Sequence, residues 1–475
     1  MRDIKDILAG DNIGSIISEL QSRPYIIPEW TDLVGDYEPK LHKIVNDHQG
    51  RKDKPHKDGT VDKAARLTVG LEKLHTKRIT EFTFAIPVKR IYSNLGDNET
   101  RKQIATAIEE IYNKAHIDTE NIKRGEAYYA SCEIFTLWYT VESKTNAYNF
   151  DSPFKLKCKT FSPMNGSKLY PLFDEMGDMV AMSYQYQRLI GTSNFVTYFE
   201  TFTDEMHYKW KRDGDNGEWE VEEEPERIRI MKIPGAYLWR MAPVYDGLQP
   251  LREDLEYTLS RNSDVVAYNS APILKVKGTL QGEESKGESR RIYRVSEGGD
   301  VGYVSWAQSD AALKYHIDNL LKYYWMQAQM PDISFENMKS LGNIGYDSRR
   351  TLLTDAHLKI GEESGPWLEF LQRECNVIKA FLKRLHKAWE SEIDNVVVEH
   401  VITPFIIEDE QAQIDMHMKA NGGKPVESQR ESIQRIGKSQ NVEETIREIN
   451  QETAQEAAVK AAASTAAMEG MFSAE

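Results

Sequence analysis

Gly437-Lys438-Ser439 carries the residue types of a phosphate-binding loop, where backbone amides cradle phosphate oxygens and a lysine neutralises them. That motif also needs a glycine five residues before the second glycine, and Ser432 stands there. The tripeptide lies in a polar, helix-like stretch and does not directly follow a strand, so no nucleotide site is expected. The eleven histidines, His42, His75, His316 and His400 among them, are scattered. None pairs with another His or with a Cys at zinc-ligand spacing. HExxH, GxSxG and GxGxxG are absent. The 75 Asp and Glu residues allow many acid/base pairs on paper, and their spacing selects none. The residues therefore lead to no enzyme, no metal site and no cofactor.

Composition narrows the class further. At 475 residues the chain exceeds one ordinary core, and about two to four structural units are expected. Hydrophobic content of 40%, a quarter of it aromatic, is enough to build them. Cys132, Cys158 and Cys375 sit far apart with no CxxC, and Met1-Arg2-Asp3-Ile4-Lys5-Asp6 has no apolar signal-peptide core, so folding in a reducing cytoplasm is expected. No apolar run approaches a transmembrane span. A net charge of −15 argues against a protein whose main task is to grip nucleic acid, because such binders carry a basic face. An acidic surface serves solubility, or suits a protein that handles DNA without holding it.

The elements that must position any site fall into a front, a middle and a rear. Ala64, Leu67, Leu71 and Leu74 predict a helix over 61–80, and Phe82 to Val88 predicts a strand. Ile104, Ile108, Ile111 and Tyr112 predict an amphipathic helix over Glu99–Ala115, and the aromatic, β-branched stretch 127–141 predicts a strand. Strands are expected at Phe154–Phe161, Asp178–Leu189, Asn194–Phe202, His207–Lys211 and Glu218–Val221, with a hairpin turn at 213–217 and a solvated loop at Glu222–Glu226. Residues 1–245 thus read as one mixed α/β unit. The middle begins with a helix at 248–268 (Leu248, Leu251, Leu255, Leu259 in one stripe), then a strand-rich insert at 273–304 and a second helix at 309–329. A polar loop spans 331–346. Leu368, Leu371, Cys375, Ile378, Leu382, Leu385 and Trp389 then keep heptad spacing, predicting a helix from Pro366 to Glu392 roughly 40 Å long, with a kink or break at Gly365-Pro366. Its apolar face (Leu368, Leu371, Ile378, Leu382, Leu385, Trp389) is expected to pack in the core or against another subunit. A strand near Asn395–Ile402 and a polar helical segment follow, the latter with a capping-box-like start at Asn441 and Glu444 and an Ala-rich end.

Two helices bracketing a β insert, followed by a loop and a long helix, make a poor enzyme pocket and a good ring-wall subunit. Three places carry a family resemblance. Gly247-Leu248-Gln249-Pro250-Leu251 leads a helix through Asn262-Ser263-Asp264. Met330-Pro331-Asp332-Ile333-Ser334-Phe335-Glu336-Asn337 precedes Leu341-Gly342-Asn343. Gly423-Lys424-Pro425-Val426-Glu427-Ser428 precedes Asn441 to Ile449. In their order and spacing these resemble the portal proteins of tailed double-stranded DNA bacteriophages, particularly long-tailed siphophages. The chain departs from that family after Asn343, where Ile344-Gly345-Tyr346-Asp347-Ser348 replaces a small-residue helix start.

The resemblance implies an α+β portal fold: a wing at 1–245 with a return strand at 394–408, stem helices at 246–270 and 309–330, and a clip at 271–308. It further implies a tunnel loop at 331–346, a long kinked helix at 347–393 and a helical crown with an Ala-rich tail at 409–475. It implies a ring of twelve subunits at one capsid vertex, the channel for DNA packaging and ejection. The implied partners are the terminase large subunit, the major capsid protein and scaffold, the neck adaptor, and duplex DNA passing without sequence specificity. Assembly would take place in the host bacterial cytoplasm, with no membrane involved. On this resemblance Lys339 would be the loop residue to touch phosphates, with Ser340 and Asn343 as neutral phosphate or water partners. The alternatives are a neck adaptor or other structural virion protein, for which 475 residues is long, and an enzyme with an unfamiliar site.

Overall fold

In the computed structural model the described residues are 4–10, 12–22, 27–55, 57, 59–191, 194–214, 217–269, 273–285, 291–295, 298–304, 310–332, 351, 353–405, 410–421, 428–436 and 445–455. Contacts divide the chain into two units, Met1–Ile333 with Leu353–Phe405, and Ser334–Leu352 with Ile406–Glu475.

The first unit opens on short helices whose apolar residues face inward. α1 (Ile4–Leu8) and α2 (Ile13–Leu20) bury Ile7, Ile16, Ile17 and Leu20, and the Asn12 side chain caps α2 by accepting from the Ser15 amide at 3.2 Å. α3 (Trp30–Tyr37) and α4 (Lys43–Asn46) follow, then the two-residue pairing of β1 (Lys54–Pro55) with β2 (Val61–Asp62). α5 spans Leu71–Phe84. It therefore includes the first three residues of the stretch predicted as a strand, and it starts ten residues after the predicted helix start at 61. Strand propensity loses here because Thr76, Thr80 and Thr83 satisfy their hydroxyls on the carbonyls of Glu72, Thr76 and Ile79, four residues back. Ile79, Phe82 and Phe84 are buried against neighbouring helices.

β3 (Lys89–Ser93) and α6 (Glu99–Lys114) come next, the helix close to its predicted bounds. α7 (Ile117–Ser131) takes the front of the predicted 127–141 strand, and β4 (Glu133–Thr145) takes the rest. The switch falls at Cys132, whose φ of +68° ends the helix. α7 approaches α5 at Gly125, where an added Cβ would lie 2.9 Å from Thr80 Cγ2.

The β-rich part holds β5 (Ser152–Phe161), β6 (Lys168–Phe173), β7 (Met179–Ile190), β8 (Asn194–Phe202), β9 (Met206–Asp213), β10 (Glu220–Arg227) and β11 (Gly235–Trp239). β6 to β10 form an antiparallel five-stranded sheet in sequential order, and β11-β4-β5 form a second sheet. Two differences from expectation stand out. β6, which contains Pro171, had no alternating pattern to reveal it. The acidic run Glu222–Glu226 is edge strand, not loop, because Lys211 on β9 meets Glu222 at 2.8 Å and Lys209 pairs with Glu223. Pro225 is tolerated because β10 is an edge.

Beyond this come α8 (Gln249–Asn269), β12 (Ile273–Lys277), β13 (Leu280–Ser285), β14 (Arg291–Val295), β15 (Asp300–Val304), α9 (Asp310–Ala328), α10 (Thr354–Leu385) and β16 (Val397–Val401). β16 pairs antiparallel with β3, closing the unit with residues some 300 apart in sequence. α10 runs through Gly365-Pro366 without the predicted break, and it stops at Leu385 instead of Glu392. Trp367, fully buried against Phe84, Tyr128 and Phe370, holds the residues just past the proline in place. Trp389 is buried from a separate short turn, Lys387–Trp389, so its heptad spacing does not reflect a continuing helix. Ile104, Ile108, Ile111, Trp138, Ile378, Leu382 and Val398 share the main core, and a second core lies on the sheets around Phe135, Tyr184 and Phe202.

In the second unit α11 (Glu410–Asn421) and α12 (Gln429–Ile436) are joined by an Asn421 to Ser432 hydrogen bond of 2.6 Å, and residues 445–455 are helical. Ser428 and Glu431 form a reciprocal capping box before α12. The box anticipated at Asn441 and Glu444 lies outside the described residues.

Candidate functional site

The helices α8 and α9 pack on each other and carry the insert between them. In the insert β12 pairs with β15 and β13 with β14, both antiparallel, so one two-stranded ladder is nested inside the other in sequence. The anchor of this hairpin is ionic. Arg252, Glu256, Ser260 and Asp264 recur every four residues along one face of α8, and the first three are buried. Arg252 donates to Glu72 at 2.9 Å, Asp36 at 2.8 Å and Glu256 at 3.3 Å. Burial opposes its charge, yet the Glu72 and Glu256 carboxylates hold its pKa above the ordinary arginine value. The pKa of Glu72 is raised as well: burial pushes it up, and Arg252 only partly offsets this. His42 Nδ1 lies 2.6 Å from Glu256, and its Nε2 lies 3.0 Å from the Asp36 carbonyl.

An extended strap, residues 64–69, lies along the same face. Its Val69, Leu67 and Ala65 amides donate to Glu256 at 2.8 Å, Ser260 at 2.9 Å and Asp264 at 2.8 Å. Two residues of extended chain advance about 6.6 Å and four residues of helix about 6.0 Å, so alternate strap amides meet every fourth helix side chain. Arg51 closes the end, donating to the Ala65 carbonyl at 2.8 Å and pairing with Asp264. This is why 64–69 is not helical: α8 side chains take its amides.

α9 is seated by aromatics. Tyr324 and Trp325 are buried edge-on to His75, whose pKa burial pushes down to about 3, with Lys359 and Arg240 adding to the effect. The opposite side of α9 leaves Tyr315, Tyr323 and Met326 exposed. α10 has its own ionic anchor. Arg124 on α7 and Glu374 on α10 are fully buried and paired at 2.7 Å, and Trp138 on β4 donates to the same carboxylate at 2.9 Å.

Of the residues singled out in sequence, Leu371, Ile378, Leu382 and Trp389 are buried, while Leu368 and Leu385 are half-buried. Lys339, Ser340 and Asn343 lie outside the described residues. The stripe at 252, 256, 260 and 264 went unread. Its signal is four polar residues at strict i, i+4 spacing, beside the leucine stripe of the same helix. The three cysteine thiols are held protonated: burial pushes Cys132 up to about 12 and Cys158 and Cys375 up to about 11. Among the described residues no group of three or more His, Cys, Asp or Glu is placed to hold a metal ion, and no helix is long and apolar enough to cross a membrane.

A paired-helix hairpin carrying a β insert, tied to a mixed α/β body by buried ion pairs and strap amides, suits an architectural part. Over residues 24–458 the sequence matches the family described as "Phage portal protein, SPP1 Gp6-like". The chain belongs to the phage portal protein family. That family is structural, and its membership gives this chain a portal or connector role in a phage particle. No curated protein matches the chain by sequence. Among solved structures, the chain is similar to one in the neck of an empty GTA particle computed with C6 symmetry, at 11% identity and a TM-score of 0.37, covering 83% of this chain and 94% of that one. It is also similar to a chain in the neck of a native GTA particle computed with C12 symmetry, at 12% identity and a TM-score of 0.34, covering 77% and 88%.

Proposed function

We propose that this portal protein forms a closed ring of twelve subunits at one capsid vertex, through which DNA enters during packaging and leaves at ejection. The family match over residues 24–458 carries the reading. The order of α8, β insert, α9 and α10 supports it. In this reading 1–245 and 394–408 form the wing, α8 and α9 the stem, and 271–308 the clip that docks terminase and later the neck proteins. Residues 331–346 are the tunnel loop, with Lys339, Ser340 and Asn343 meeting phosphates in passing, and 409–475 form the crown. A closed ring needs head-to-tail contacts, which leave a hole. Tyr315, Tyr323 and Met326 share one face of α9 and would be covered by the next subunit. The net charge of −15 suits a conduit that repels the duplex more than it holds it. Assembly proceeds in the host cytoplasm, with the capsid protein and scaffold as partners.

Native mass spectrometry of the purified protein tests the ring. A species with about twelve times the subunit mass is expected. A stable monomer or dimer at every salt and protein concentration, including in the presence of scaffold and capsid protein, would contradict it.

A further inference from the structure

A cavity of about 230 Å³ opens beside the C-terminal half of α10, bounded also by residues 230–232 and 390–394. Its charged lining is Lys232, Lys379, Lys383, Arg384, Glu390 and Asp394. Lys379 is the recessed member, only 8% exposed, and its Nζ donates to the Val396 carbonyl at 2.6 Å. An ammonium group has three donors, and that carbonyl carries no full charge. Lys383 is matched by Asp394 at 2.6 Å. Among the described residues, no carboxylate pairs with Lys379, Lys232 or Arg384. Three unmatched cations and one exposed unmatched carboxylate, Glu390, therefore line one small cavity in a chain that is otherwise strongly acidic. A buried ammonium without a counter-charge is costly, and a ligand that brings the negative charge removes the cost.

We propose that this cavity is a binding site for a tetrahedral oxyanion of the phosphate class, with Lys379 at its floor and Lys232 and Arg384 at its rim. A single carboxylate needs one cation, which Lys379 supplies alone. A phosphate dianion also uses the rim charges, and the planar Arg384 guanidinium pairs with two of its oxygens at once. The group is either free phosphate or the terminal phosphate of a nucleic-acid strand.

Isothermal titration of the full-length protein in low-salt buffer tests this, with three probes: inorganic phosphate, a short single-stranded oligonucleotide bearing a terminal phosphate, and the same oligonucleotide ending in hydroxyl. Saturable binding of inorganic phosphate is expected, weakened at least about tenfold by Lys379→Met. Lys232→Gln and Arg384→Gln are both at exposed positions and should each weaken it about threefold to tenfold, with thermal unfolding unchanged. These rim variants carry the test if Lys379→Met, which also frees the Val396 carbonyl, fails to fold. Tighter binding of the phosphorylated oligonucleotide than of either other probe identifies a strand end as the source. Equal binding of phosphate and that oligonucleotide identifies the free ion. No saturable binding to any phosphate probe, or binding unmoved in the Lys232→Gln/Arg384→Gln double variant, overturns the proposal.

Discussion

His75 is 1% exposed and packs edge-on to Tyr324 and Trp325, so it is held neutral, with its pKa down at about 3. His400 is driven down to about 4 by burial and by Arg90. In the unfolded chain each histidine titrates near 6.5. The unfolded state therefore binds more protons between those values, and stability rises with pH there. Their contribution is complete above about pH 6.5 and is lost on acidification toward pH 3 to 4, at about 1.4 kcal/mol per pH unit for each histidine. The melting temperature should fall as pH drops from 7 to 5, and His75→Leu should make that fall shallower. An identical pH profile in His75→Leu would mean that His75 is not the neutral group described. Arg252 raises the opposite issue, since its charge is what makes Glu72 and Glu256 tolerable inside. Arg252→Met should cost about 3–5 kcal/mol in unfolding free energy, and adding Glu72→Leu should return part of it. Denaturant titration of the single and double variants reads this out, and a neutral Arg252→Met would remove the anchor from the account.

At the scale of elements, the strap 64–69 ties α8 to the rest of its unit through three backbone amides. Hydrogen exchange should find the Ala65, Leu67 and Val69 amides protected, although they belong to no helix or strand. Ser260→Ala should expose the Leu67 amide first, weakening the local structure by about 1–3 kcal/mol. Fast exchange at all three positions in the unaltered protein would mean the strap is not held. This segment also shows what periodicity can and cannot reveal. α6 was legible because Ile104, Ile108, Ile111 and Tyr112 share its one buried face, which leaves a clean 3.6 period. Ala64, Leu67, Leu71 and Leu74 have the same helical spacing, yet only the last two lie in a helix, because long-range side-chain acceptors on α8 decide the conformation of 64–69. Phe82-Thr83-Phe84 misleads the other way, being β-prone residues on the buried side of a helix. The anchor itself escaped because buried ion pairs carry no hydrophobic period, and Glu72, Asp36 and Arg252 are brought together from distant parts of the chain.

For the whole molecule, the order of elements was the readable feature, and family membership follows from the match over 24–458. Residue-level contacts of the proposed ring are not readable, since a surface made for a neighbour looks, in sequence, like an exposed helix face with a few apolar residues. Tyr315 and Met326, 70% and 58% exposed on α9, are the test of that surface. Changing both to Glu should leave the subunit folded, by circular dichroism and melting temperature, while reducing the assembled species to monomer. Intact assembly in that double variant would move the subunit contact to another face. End-on electron microscopy of the purified protein is the decisive measurement of the proposed ring. Closed rings of about twelve-fold symmetry are expected, with a central channel wide enough for duplex DNA, roughly 20 Å or more. Closed particles without a channel, or compact small oligomers under every assembly condition, would contradict it.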